Sequence, residues 1–268
     1  MIIIFDFDGT IADSFPVFVT CMNRLSREFG YEELKDSIQL RRKGIQRIAL
    51  EDMKVPRALW PTYAHRLREE IKHCFREILF FSSIKPVIKE IVLCHTVGIL
   101  SINSEAIIRN TLEKEGLHVD FLFTDISFSD KGEVLTEIMR RNSRNTTEFI
   151  YVGDECRDIE ACKKAGIRII AVTWGFDPKE ILEQNHPDCL IDNPSELLTL
   201  LNRFDDKVVS VIQSIPTFQR LLAEMTGISG RNDKSPVSYH LSTIRRFPDR
   251  AFSPSDIGGI SIRQPFFC

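Results

Sequence analysis

Asp6 and Asp8 stand at the end of an apolar run, Ile2-Ile3-Ile4-Phe5, and Gly9-Thr10 closes the segment. The branched and aromatic side chains read as a buried strand. Burying an unpaired carboxylate is costly, so two acids at such a strand end call for a counter-charge. A divalent cation would supply it. Residues i and i+2 of a strand point to one side, so both acids can face one site. A carboxylate can act as a nucleophile and form an aspartyl-phosphate, and a second beside it can give and take the proton. Gly9 permits the turn, and Thr10 is placed to cap the next helix. A plain strand-end cap, with the acids accepting only backbone amides, leaves the pair without a counter-charge. An EF-hand loop from Asp6 would need Gly sixth and Glu twelfth, where Ile11 and Val17 stand.

The pattern recurs at Phe149-Ile-Tyr-Val-Gly-Asp154-Glu155, with Arg157-Asp158 one turn later. Asp154 is the candidate third carboxylate of a cation site. Asp158 follows it at i+4, on the same side of a helix start, so Glu155 or Asp158 can reach the metal through water. Mg²⁺ suits such a site, because it takes oxygen ligands and keeps water and substrate phosphate in its shell. Arg157 reads as an ion-pair partner for one of the acids. Ser101, Asn103 and Ser104 follow the strand Val97–Leu100. They can hold a phosphate oxygen with the amides of a helix start, or simply cap that helix. Lys131 begins a helix, where its charge opposes the helix dipole. Either it holds an anion there or it is a solvated surface lysine. Thr10, Ser101, Asn103 and Lys131 are therefore the candidate substrate contacts. Asp6, Asp8, Asp154 and Asp158 are the candidate metal ligands. Cys156 lies at a helix start, where a thiol pKa can fall, but without a companion His it reads as a bystander. The six His show no zinc-ligand spacing. There is no G-x-x-x-x-G-K-[ST] and no G-x-G-x-x-G.

Alternating strand and helix patterns from residue 84 to 201 must position these residues. The expected elements are helix 84–94, strand 96–101, helix 104–115, strand 121–128, helix 131–141, strand 148–153, helix 155–165 and strand 168–173. A short helix, a short strand near Cys189–Ile191 and a final helix from Ser195 follow. Gly116 and Gly166 are the expected helix stops. Such alternation predicts an α/β fold with a parallel sheet covered on both faces. In such sheets ligands bind at the carboxyl ends of the strands, where Asp6, Ser101 and Asp154 fall. Residues 14–83 interrupt the alternation with helix-like stretches at 15–29, 45–54 and 57–78 and no convincing strand. They read as a helical cap inserted into a core of 1–13 and 84–201, able to exclude water from the site. Within it Arg41, Arg42, Lys43 and Arg47 either grip an anionic substrate or form a solvated basic face. Residues 202–268, with helical apolar spacing over Val208–Met225 broken by Pro216 and a stretch rich in Ser, Pro, Gly and Arg after Gly227, read as a partly disordered extension.

With 268 residues, 43% of them hydrophobic and 27% charged, the composition is that of an ordinary soluble protein. A net charge of −3 gives no reason to expect nucleic acid or a membrane surface as partner. The opening Ile run is too short for a leader or a membrane span. Seven cysteines, an odd number without C-x-x-C spacing, predict reduced thiols and a cytoplasmic protein. Oligomeric state is left open.

The ordered motifs Asp6-Phe-Asp-Gly-Thr10, Leu100-Ser-Ile-Asn103, Lys131 and Gly153-Asp-Glu-Cys-Arg-Asp158 resemble the haloacid dehalogenase-like superfamily, within it the phosphoglycolate phosphatase-like group. The likeness covers about residues 1–200, and Ala171-Val-Thr-Trp-Gly175 shares it. It implies a Rossmann-like core with a mobile helical cap. It also implies a Mg²⁺-dependent phosphatase for a small phosphorylated metabolite such as phosphoglycolate. Asp6 would be the nucleophile and Asp8 the general acid/base. Ser101 and Lys131 would be phosphate ligands. Asp6, Asp154 and the Asp8 carbonyl would hold the metal. Ser129-Asp130 before Lys131 departs from the group and adds negative charge beside the phosphate site. The alternatives are a phosphosugar mutase on the same site and a non-enzymatic interaction protein that uses the tail.

Overall fold

The computed structural model describes residues 1–204 apart from 36, 45–46, 75–77, 127–130 and 143–144. The basic extension from 205, the end of the predicted 121–128 strand and Ser129-Asp130 therefore lie outside the described residues.

Strand β1 (Ile2–Phe5) is buried along its whole length, which explains its four large apolar side chains. Each contributes about 1.5–3 kcal/mol on full burial. It pairs in parallel with β4 (Thr96–Leu100) on one side and β6 (Phe149–Gly153) on the other. Beyond β4 lies β5 (Phe121–Phe123), and beyond β6 lie β7 (Arg168–Val172) and β8 (Cys189–Ile191). The six-stranded order is β5-β4-β1-β6-β7-β8, all pairs parallel. The chain leaves β1 toward one edge and later returns to its other side, so β1 is the switch point at which such sheets bind ligands. Register aligns the ends: Phe5 pairs with Ile99 and with Val152. One step further come Asp6, Leu100 and Gly153, followed by Ser101 and Asp154.

Helices cover the sheet as the periodicity predicts: Ile84–Cys94, Glu105–Glu115, Lys131–Asn142, Cys156–Ala165 and Lys179–Gln184. Those of 105–115 and 156–165 end at Gly116 and Gly166. The insert departs more from expectation. Helix α1 (Phe15–Phe29) forms, and a short α2 (Ser37–Lys43) follows. The expected 45–54 helix is a π-helical turn, Ile48–Met53. The 57–78 helix is a 3₁₀ turn, Arg57–Leu59, leading into α3 (Trp60–Cys74). Two strands were not anticipated. β2 (Ala12–Asp13) pairs antiparallel with β3 (Leu79–Phe80), tying the entry of the insert to its exit. Among the described residues no helix is long and apolar enough to cross a membrane.

Candidate active site

β1 stops at Phe5, and the chain turns tightly through Asp6–Ala12, with the Ile11 and Ala12 amides donating to the Phe7 carbonyl. Gly9 sits at φ +78°, and a Cβ there would lie 2.1 Å from Asp154 Oδ2. A Cβ on Gly175 would lie 2.2 Å from the same oxygen. The two glycines thus let the backbone close on the Asp154 carboxylate from two segments. Asp154 is fully buried and follows β6 directly. Its oxygens accept from the Thr10 hydroxyl (2.7 Å) and the Phe176 amide (2.7 Å). A carboxylate offers about four lone-pair sites, so two remain for a cation.

Lys131 opens its helix as predicted, but it is no surface residue, with only 4% of its area exposed. Its Nζ lies 2.9 Å from Asp6 Oδ2 and 2.7 Å from Asp158 Oδ1. Burial alone would lower its pKa; Asp158 and Asp6 outweigh that and raise it, so it stays charged. Asp158 also accepts from the Glu155 amide at 3.2 Å, which fixes the start of helix 156–165.

Asp6, Glu155 and Asp158 present carboxylate oxygens within 4.8 Å of one another. With Asp154 they make four buried acids, against Lys131 and Arg157, which pairs with Glu155 at 2.6 Å. Burial is the main cause of a raised pKa at Asp6, Asp154 and Glu155, and Asp6 is pushed up to about 8. Neighbouring acids add to it: Asp158 and Glu155 at Asp6, and Asp6 first at Asp154. Four acids against two cations leave the cluster short of positive charge, and its all-oxygen donors fit a hard divalent cation. The grouping differs from the expected one in bringing Glu155 in directly, while Asp154 is engaged by Thr10 and Phe176.

Asp8 sits apart from this cluster. Burial raises its pKa, and Asn103 Nδ2 donates to it at 3.1 Å. The Ser14 hydroxyl is near enough to lower that pKa, yet it is buried without a hydrogen bond of its own. Asp6, Asp8, Ser14, Asn103, Lys131 and Glu155 all line one cavity of about 260 Å³.

Three expected roles change. Thr10 does not cap a helix: it is fully buried on Asp154, and Ser14 precedes the helix instead. Ser101 is buried, its Oγ accepting from the Asn103 amide at 3.0 Å, and it does not line the cavity. Of the expected candidates Arg41, Arg42, Lys43 and Arg47 none lines the cavity. Arg41 is engaged within the protein. It donates to the Trp174 carbonyl at 2.9 Å, pairs with Asp13 and lies 4.7 Å over the Phe15 ring. Cys156 is a bystander for a further reason: burial and then Asp177 push its thiol up to about 12. Sequence reasoning missed Ser14 and Phe176. A serine just before an apolar helix reads as an ordinary cap, and a backbone amide leaves no trace in residue identity.

A family model for haloacid dehalogenase-like hydrolases matches residues 3–172. A phosphoglycolate phosphatase from Synechococcus elongatus is 33% identical over 207 residues, 73% of this chain and 94% of that protein. One from Vibrio vulnificus is 24% identical over 219 residues, 75% of this chain and 95% of that protein. Among solved structures, a haloacid dehalogenase-like family hydrolase from Streptococcus pneumoniae aligns with a TM-score of 0.62 at 19% identity. That alignment covers 75% of this chain and 97% of the other, and it shows the same fold.

Proposed function

Because the chain belongs to the haloacid dehalogenase-like hydrolase family, we propose that it is a Mg²⁺-dependent phosphatase acting on a small phosphate monoester. The observation that carries this reading is Asp6: a buried carboxylate on the cavity surface with Lys131 at 2.9 Å. On this reading residues 1–13 and 84–201 form the catalytic core, and 14–83 is a cap that shuts water out of the cavity. The relatives' named substrate, phosphoglycolate, is the starting point for the substrate class.

In the first step an oxygen of ionised Asp6, the form that Lys131 favours, attacks phosphorus, and the bond to the leaving oxygen breaks. Asp8, whose raised pKa favours the protonated form, gives that oxygen its proton, and the alcohol departs. Water then attacks the aspartyl-phosphate, Asp8 takes back a proton, and the bond to Asp6 breaks to release phosphate. Lys131 neutralises charge developing on the phosphoryl oxygens. Asp158 positions Lys131 through its 2.7 Å contact. Asn103 orients Asp8, and Thr10 with Phe176 fixes Asp154. Ser101, buried and bonded to the Asn103 amide, shapes the loop that carries Asn103 to Asp8, and a contact with a phosphate oxygen would need its hydroxyl to turn toward the cavity. Asp6 and Asp154 would hold Mg²⁺, with the Asp8 carbonyl and with Glu155 or Asp158 directly or through water. The ion would supply Lewis-acid stabilisation of the phosphoryl group.

The test is phosphate release from p-nitrophenyl phosphate and phosphoglycolate by the full chain, with Mg²⁺ and with EDTA. Turnover that needs the metal supports the reading, as does phosphate trapped on Asp6 by rapid acid quench. Full turnover in EDTA would overturn it.

A further inference from the structure

We propose that the preferred substrates are phosphate monoesters of apolar alcohols, aliphatic or aromatic, whose leaving group fills the cavity lined by Asp6 and Asp8. The inference rests on the phosphatase reading and sharpens its substrate class.

The cavity, about 260 Å³, lies near the lower end of small-molecule pockets, which run from about 300 to 1,000 Å³. Among the described residues, the insert supplies only three polar wall residues, Ser14, Arg68 and Lys72. Its other contributions are apolar or aromatic, among them Phe18, Met22, Met53, Trp60, Leu67 and Ile71. Tyr63 is there too, with its hydroxyl 3.1 Å from that of Tyr31. A wall of this kind gains free energy by covering apolar surface and gains nothing from a carboxylate.

The charges point the same way. Four cations line the cavity: Arg68, Lys72, Lys131 and Arg157. Lys131 is held by Asp6 and Asp158, Arg157 by Glu155, and Lys72 by Glu69 at 2.8 Å. Arg68 has no ion-pair partner among the described residues, but it is solvent-exposed and so weak as a grip. Asp125 and Glu155 add negative charge to the lining. An acidic leaving group would therefore lose its hydration without meeting a buried, unpaired cation. An apolar one meets matching walls. The buried Ser14 hydroxyl on the cavity wall has no hydrogen-bond partner among the described residues and offers a donor to an oxygen of the ester.

The experiment is kcat/KM for the Mg²⁺-loaded full chain on methyl, propyl, butyl, hexyl and phenyl phosphate, set against 2-phosphoglycolate. Apolar burial felt equally by ground and transition state appears in KM. The expected result is a gain of about fourfold per methylene until the cavity is full, with butyl and phenyl phosphate about tenfold or more above phosphoglycolate. Leu67→Asp should flatten the chain-length slope, and Leu67→Met should restore it, which separates wall chemistry from a folding defect. A flat series, or phosphoglycolate ahead of butyl and phenyl phosphate, overturns this inference and leaves the phosphatase reading standing. No phosphate from any of the esters overturns the phosphatase reading and this inference with it.

Discussion

The two sides of the cavity follow different physical plans. On the sheet side, Asp6, Asp154, Glu155 and Asp158 are buried within one charge field, and each meets a partner: Lys131, Thr10, Phe176 or Arg157. Two glycines leave no room for even a methyl group beside Asp154. On the insert side, the walls are Met, Leu, Ile and aromatic residues, whose contacts are non-directional. Directional, low-dielectric interactions lose most of their value when a partner shifts, whereas apolar walls tolerate exchange at similar volume. Chemistry should therefore be brittle to changes at the sheet edge, and substrate preference pliable to changes in the insert.

The largest effects test the brittle side. Asp6→Asn removes the proposed nucleophile and is expected to cut kcat by about 10⁴–10⁶-fold, with the circular dichroism of the fold kept. Asp8→Asn keeps the nucleophile and removes the proton carrier, so a loss of about 10²–10⁴-fold is expected. That loss should be smallest for esters with acidic leaving groups such as p-nitrophenol, which leave without a proton. An Asp8→Asn enzyme equally impaired on alkyl and nitrophenyl esters would assign Asp8 another role.

Metal binding is the next test. The unfolded chain gives up the Asp6 proton near its ordinary value of 3.8, whereas the folded chain keeps it to about 8. The stability from that proton is full below 3.8 and is lost as pH rises through about 8. Mg²⁺ competes for the same oxygens, so its stabilisation should grow over that window. At about 100-fold its Kd the ion adds about 2.7 kcal/mol, some 5–10 °C in Tm at 2–4 °C per kcal/mol. The shift should be clearly larger at about pH 8.5 than at about pH 6. An equal shift at both would mean that the metal does not displace this proton.

What could be read without the fold divides along the same line. The acids after β1 and β6 stand out because a buried strand rarely ends in charge, and Lys131 because it opposes a helix dipole. Each is an anomaly of residue type at one position, visible locally. Parallel register then brings those positions together, and it too is legible from β/α alternation. The insert offers no such anomalies. An apolar stripe on a helix looks the same whether it covers a core or walls a cavity, so the chamber of Met22, Met53 and Leu67 could not be foreseen. Two-residue strands have no period to detect, so β2 and β3 passed unseen. Arg41 finds its carbonyl acceptor 133 residues away at Trp174, a distance no local pattern spans.

Gly175→Ala sharpens the comparison with a smaller change. The added methyl would lie 2.2 Å from Asp154, so the carboxylate or the 173–177 turn must move. Overpacking of this kind costs about 1–3 kcal/mol, a Tm loss of roughly 2–12 °C. Because the displaced group is Asp154, Mg²⁺ affinity should fall in the same variant. Leu67→Met, one methyl-sized change of shape on the opposite wall, should leave Mg²⁺ affinity at the wild-type value. If Gly175→Ala keeps both Tm and metal affinity, the sheet edge is not the tight side.

Arg41 belongs to neither plan, which makes it the finest probe of their independence. Its guanidinium joins α2 to the Trp174 carbonyl and to Asp13 at the insert's entry, and stacks on Phe15. Trp174 in turn donates from its indole to the Thr10 carbonyl at 3.1 Å, one residue from the glycine that packs on Asp154. Arg41→Lys keeps the charge but loses the planar stack and the forked donors, at a cost of about 1 kcal/mol, or 2–4 °C in Tm. If the insert only chooses substrates, the variant should alter KM for the longer esters and leave kcat on methyl phosphate within about twofold. A fall in kcat on methyl phosphate would instead mean that Arg41, through Trp174 and Thr10, helps to hold Asp154, and that the pliable side reaches into the brittle one.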